Sequence, residues 1–289
     1  DISAPCLGKT LAGNIRWVKG SRYLLSDELA EYHESNSKEI PRTLDHKEES
    51  QMVGNCEWVV LGDGTRAYYG RPDGDGPYPA VLIYIEAFGV NDHFEHLTQR
   101  FADAGFAAIT PDIYDNKIYE YSDLDGAIGH LKAMDDAKVM AQSAASLDFM
   151  EGRNEVKSGA NCVTGFCMGG RYAFLANSAL ASRIKAAASF YGGGIGPVED
   201  FAGRKILLDR VGEMQAPIQL WYGAEDQSIP PEEHGRIAEA MTAANKRYTM
   251  NVFPNVGHGY FCEDRESYNE SATNESWDAM LALFRACTA

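Results

Sequence analysis

The sequence predicts an α/β fold: a mostly parallel, twisted sheet flanked by helices, with an antiparallel edge at an N-terminal hairpin. Three observations lead there. From about residue 57 to the end, short strand-like apolar runs alternate with longer helical stretches, and strands separated by helices need crossover connections, which give parallel pairing. Only the first two runs, on either side of Gly62-Asp63-Gly64, are close enough for a hairpin. The 289 residues are 45% hydrophobic and 24% charged, the composition of a chain with a substantial core.

Each element has its own signal. Residues 57–61 and 66–70 are the hairpin strands, and the Gly/Pro/Asp stretch 71–79 leads into a buried-type strand at 80–85. In the helix that follows, Phe94, Leu97, Phe101 and Ala104 share one face, and Gly105 supplies the stop. A strand at 106–110 precedes one long helical pattern over 125–150. A strand at 161–166, a helix at 169–179, and strands at 186–191 and 218–222 come next. A helix at 232–244, a strand at 248–253 and a last helix at 273–286 complete the alternation. Composition does not break after the hairpin, so residues 51–289 are read as one domain. Residues 1–50 are polar apart from a short face of Leu25, Leu29 and Tyr32. They are read as an arm packed on that domain, with a lid or a dimer contact as the alternatives.

Charge and composition exclude several functions. With 26 basic and 42 acidic residues the net charge is −16, a field that repels nucleic acid and anionic lipid. The strongly apolar runs are too short to span a membrane. Six cysteines with no Cys-x-x-Cys pair argue against a structural zinc site. His93 and His96 have a metal-like spacing on a helix, but are read as solvated surface, so no metal is expected, and no cofactor is expected because the groups described below supply the whole reaction. No charged-then-apolar signal opens the chain, although a start at Asp1 leaves room for a removed upstream segment. A cytoplasmic monomer or homodimer, binding neither nucleic acid nor membrane, is the expectation.

The most informative segment is Thr164-Gly165-Phe166-Cys167-Met168-Gly169-Gly170, between an apolar strand and a helix. A tight strand-to-helix turn exposes its central residue, glycines two before and two after make room for neighbouring chains, and the helix N-terminus favours an anion there. Cys167 is therefore a candidate nucleophile. Such a turn predicts an acid and then a histidine, each on a loop after a strand. Asp226, in Tyr222-Gly223-Ala224-Glu225-Asp226, and His258, in Gly257-His258-Gly259, supply both in that order. Glu225 is the competing acid.

With these residues in hand, 52–289 resembles the dienelactone hydrolase family, a cysteine-nucleophile branch of the α/β-hydrolase fold. The resemblance is carried by Glu86-Ala87-Phe88-Gly89-Val90-Asn91, Pro111-Asp112-Ile113-Tyr114, Gly165-Phe166-Cys167-Met168-Gly169-Gly170 and Gly257-His258-Gly259-Tyr260-Phe261. It implies a triad of Cys167, Asp226 and His258, with Glu86 as a fourth participant that contacts the resting thiol. It also implies an oxyanion hole from the backbone N–H groups of Met168 and Ala87. Members that cleave dienelactone hold its carboxylate with two arginines, and the matching positions here are Asn116 and Cys262. Loss of such a clamp removes recognition of an anionic lactone, with Lys117 and Arg265 as out-of-register substitutes. The expectation is an esterase or lactonase for a small neutral or moderately hydrophobic substrate, with Tyr114, Asn116, Tyr260, Phe261 and Cys262 as candidate binding residues. The alternatives are an acyltransferase using the same nucleophile, and a non-catalytic or redox-sensing protein on the same fold.

Overall fold

The computed structural model describes residues 54–289. The arm expected at 1–50 lies outside the described residues. Eight strands form one sheet: β1 (Gly54–Val60), β2 (Arg66–Pro72), β3 (Tyr78–Tyr84), β4 (Ala107–Pro111), β5 (Val156–Phe166), β6 (Ile184–Phe190), β7 (Ile218–Gly223) and β8 (Tyr248–Phe253). Their order is β1-β2-β4-β3-β5-β6-β7-β8. β1 and β2 pair antiparallel, β2 joins β4 antiparallel, and every further pair is parallel. The α/β-hydrolase architecture with its antiparallel N-terminal edge is the observed one.

Among the described residues six α-helices accompany this sheet: α1 (Asp92–Asp103), α2 (Leu124–Lys132), α3 (Asp136–Glu151), α4 (Met168–Ala179), α5 (Pro231–Ala243) and α6 (Glu270–Thr288). Central strands covered on both faces must be apolar on both. Accordingly Ala80, Val81, Leu82, Ile83 and Tyr84 of β3 expose nothing. α4 is buried from Met168 to Ser178. Its Arg171 is wholly enclosed, held by Asp136 at 2.7 and 2.8 Å and by the carbonyls of Gly194 and Lys205. A buried cation with all three guanidinium nitrogens engaged ties α4 to α3 and to the loop after β6.

The single helix expected over 125–150 is two. Asp135 breaks it: its carboxylate accepts a 2.7 Å hydrogen bond from the Ala137 N–H as the N-cap of α3. Asp123 caps α2 in the same way through Gly126. The break lets α2 lean away from the sheet while α3 packs against it.

The strand order also positions the site. β3 leads to β4 on one side, and the chain then returns across to β5 on the other. Connections leaving adjacent strands in opposite directions open a crevice beyond their carboxyl ends. Glu86 and Ala87 lie just past β3 and Cys167 just past β5.

Candidate active site

The turn after β5 is strained and tightly enclosed. Cys167 has φ 55° and ψ −118°, a conformation costing a non-glycine residue about 1–3 kcal/mol. Its N–H donates to the Phe190 carbonyl at 3.0 Å and its carbonyl accepts from Gly170 at 3.0 Å, which hold it there. A Cβ on Gly165 would collide with the Gly169 carbonyl, and one on Gly169 with the Tyr84 carbonyl. A Cβ on Gly170 would stand 2.7 Å from Gly192 Cα. The glycine spacing in the sequence thus follows from wedging this turn between the ends of β3 and β6.

Past β7, Asp226 is anchored by an N–H donated to it from Ser228 at 2.8 Å. Its other oxygen lies 2.7 Å from His258 Nδ1, and its side chain exposes nothing. Glu225, the competing acid, is exposed. His258 is 20% exposed and also hydrogen-bonds Cys167. Burial pulls the His258 pKa down, but the Cys167 charge and the bonds to Asp226 and Cys167 outweigh it, pushing the group up to about 10.

Glu86 is fully buried. Tyr191 donates its hydroxyl to one carboxylate oxygen at 2.9 Å, and Arg265 Nη1 donates to the other at 3.2 Å. Burial, reinforced by the Glu86 charge, raises the Tyr191 pKa well above its ordinary value, so the phenol stays a donor. Tyr191 itself has φ 38°. Gly259, at φ 79°, leaves room where a Cβ would collide with the Arg265 guanidinium. Tyr191 was missed in the sequence, although its place before Gly192-Gly193-Gly194 at a strand end was a usable signal. Arg265 appeared there only as an out-of-register substitute.

Cys167, His258 and Arg265 open into a cavity of about 770 Å³. Ala87, Met168, Cys167, His258 and Arg265 border it, so both N–H groups assigned to the oxyanion hole belong to residues of this wall. The wall also includes Leu124 and Ile128 of α2 and Val198 and Phe201 of the loop after β6, all exposed. Arg204 lines it too, but is paired with Asp200 at 2.8 Å.

The five candidate binding residues lie elsewhere. Tyr114 is buried behind the turn, its hydroxyl 3.4 Å from Met168 Sδ and its ring stacked on His130 at 3.8 Å. Asn116 is exposed and hydrogen-bonded to Arg66. Tyr260 and Phe261 are core residues, packed on Phe253 and on Phe166 and Phe190 respectively. Cys262 is buried, sharing a 3.1 Å hydrogen bond with the Tyr121 hydroxyl. Burial first, and then the Glu86 charge, push its thiol up to about 11, so the unliganded group is held as the neutral thiol. Motif register put these residues near the site, but their side chains turn into the core or away to solvent. His93, expected to be solvated, is half-buried.

The sheet, its strand order and the strained turn define an α/β-hydrolase. The sequence matches the dienelactone hydrolase family over residues 65–288. A Yersinia pestis protein provisionally named carboxymethylenebutenolidase is 32% identical over 227 residues, covering 77% of this chain and 84% of its own. A Synechocystis protein of the same name is 30% identical, covering 84% of this chain and 98% of its own. The crystal structure of a provisionally named dienelactone hydrolase from Klebsiella pneumoniae superposes with a TM-score of 0.74 at 30% identity, over 80% of this chain and 98% of that one. The chain belongs to the dienelactone hydrolase family and is a carboxylic ester hydrolase. No helix among the described residues is long and apolar enough to cross a membrane.

Proposed function

We propose that the protein hydrolyses a small ester or lactone through a thioester on Cys167. The observation that carries this reading is the meeting of the strained Cys167, His258 and buried Asp226 at one end of the cavity. His258, oriented by Asp226, takes the thiol proton, and the sulfur attacks the ester carbonyl. Negative charge develops on the carbonyl oxygen, facing the N–H groups of Met168 and Ala87. Collapse breaks the ester C–O bond and His258 returns the proton to the departing alcohol or enol. A water molecule, deprotonated by His258, then attacks the thioester, releasing the acid and restoring the thiol. No step needs a cofactor.

The apolar wall supports a neutral substrate with hydrophobic bulk, seated toward Leu124, Ile128 and Phe201. A second reading has a specific observation behind it: Arg265 stands beside Cys167 and His258 and could meet a carboxylate-bearing lactone, as the name of the relatives suggests. The test is hydrolysis of p-nitrophenyl acetate by the wild type and by Cys167→Ala. Turnover only in the wild type is expected, with a thioester trapped by rapid quenching. Equal rates would overturn the mechanism. Acyl transfer to added amines in place of hydrolysis would favour the acyltransferase alternative.

A further inference from the structure

At the start of α1, His93 meets the turn carrying Cys262 and Asp264. One ring nitrogen of His93, Cys262 Sγ and a carboxylate oxygen of Asp264 all lie within 4.8 Å of one another. None of the three has a part in the proposed hydrolysis. Beside them is a separate cavity of about 120 Å³, bordered by His93, His96, Arg100, Glu263 and Asp264 among others.

Two buried polar atoms here have no hydrogen-bond partner among the described residues: His93 Nε2 and Asn91 Oδ1. They belong to one connected group. The Asn91 amide donates to the Tyr121 hydroxyl at 3.0 Å, and that hydroxyl is 3.1 Å from Cys262 Sγ. Buried polar atoms without partners are uncommon and call for an explanation. The nearby cation Arg100 is engaged over the rings of Trp277, at 4.1 Å, and Phe261, at 5.6 Å.

We propose that His93, Cys262 and Asp264 bind a zinc-class divalent cation. Imidazole nitrogen, thiolate sulfur and carboxylate oxygen are the donors zinc takes, whereas calcium and magnesium want oxygen alone. Three protein donors leave a fourth position for water. On binding, the Cys262 thiol releases its proton to solvent, and the Tyr121 hydroxyl donates to the resulting thiolate. The ion joins two segments of the catalytic wall: the one carrying Glu86 and Ala87 and the one carrying His258 and Arg265.

The test uses the full chain with Cys167→Ala, so that the Cys167–His258 pair cannot compete for the metal. Cobalt(II) serves as the spectroscopic substitute for zinc. One equivalent should bind with thiolate-to-cobalt charge-transfer absorption, and zinc should displace it. Cys262→Ser should abolish that absorption. His93→Gln and Asp264→Asn should each weaken binding at least about tenfold. Asp264 is exposed, so its variant remains informative if a core change impairs folding, which circular dichroism would reveal. Absence of stoichiometric binding, or binding unchanged in both the His93 and Asp264 variants, would overturn the proposal.

Discussion

Replacing Arg265 with Met tests the least expected pairing at the site. Glu86 exposes nothing and has two partners, Tyr191 and Arg265. Deleting the arginine leaves a buried carboxylate with one neutral donor. Breaking a fully buried pair costs about 3–5 kcal/mol because a charge is stranded. Arg265 retains 19% of its side-chain exposure, so water screens part of the interaction, and about 2 kcal/mol is the better expectation. Glu86→Gln in the Arg265→Met background removes the stranded charge and should recover at least about half of that loss. Urea unfolding of the two single variants and the double variant then gives a coupling energy of about 1–2 kcal/mol. A single variant within about 0.5 kcal/mol of wild type, or additive effects, would refute the argument that these two groups hold each other.

Three further outcomes follow from the geometry. Asp226→Asn should lower kcat about 10²–10⁴-fold, as expected when the histidine loses its orienting charge; a kcat within threefold of wild type would refute Asp226 as that partner. The same variant tests linkage. His258 is raised from 6.5 to about 10, so its stabilisation is fully present below 6.5 and disappears as pH rises through about 10. Cys167 contributes more to this rise than Asp226 does, so Asp226→Asn removes only part of it. The stability gap between wild type and that variant should narrow as pH approaches about 10, and a gap that widens with pH would refute the assignment. Finally, the apolar wall should favour longer acyl chains: two added methylenes, at about 0.8 kcal/mol each, predict roughly a 15-fold higher kcat/KM for p-nitrophenyl butyrate than for acetate. Ile128→Asp should erase that preference, and acetate preferred by wild type would count against the apolar-substrate reading.

Which parts were legible in the sequence depended on whether the signal was local. Strand alternation and the hairpin are local patterns, and the sheet follows them. The Cys167 turn was legible because its glycines record contacts that any side chain would break. The Asp135 cap is also local, yet the unbroken apolar pattern across 125–150 concealed it. The apolar cavity wall was not legible. Leu124 and Ile128 form it because α2 separates from α3, and Val198 and Phe201 because Arg171 and Asp200 organise the loop after β6. These are consequences of packing, with no motif of their own.

Arg265 shows the same difference and bears on the substrate. Family register compares positions, whereas chemistry compares places. After His258 the chain makes two consecutive turns, Cys262 N–H to Gly259 O at 3.2 Å and Arg265 N–H to Cys262 O at 3.2 Å. A guanidinium seven residues past the histidine is thereby brought to the catalytic wall, although the expected position holds Cys262. Its presence does not make the cavity a ready anion receptor. At rest Arg265 is neutralised by Glu86, and a substrate carboxylate would have to displace a buried partner already in place while approaching a surface of net charge −16. A neutral ester meets neither obstacle. It can seat its apolar portion against Ile128 and Phe201 with the Glu86–Arg265 pair intact. The two readings separate by experiment: with Arg265 neutralised by Glu86, Arg265→Met should leave KM for neutral esters nearly unchanged, and a rise confined to carboxylate-bearing esters would instead favour the carboxylate-lactone reading. An equal rise for both would mean that Arg265 supports the shape of the cavity and takes no part in recognising charge.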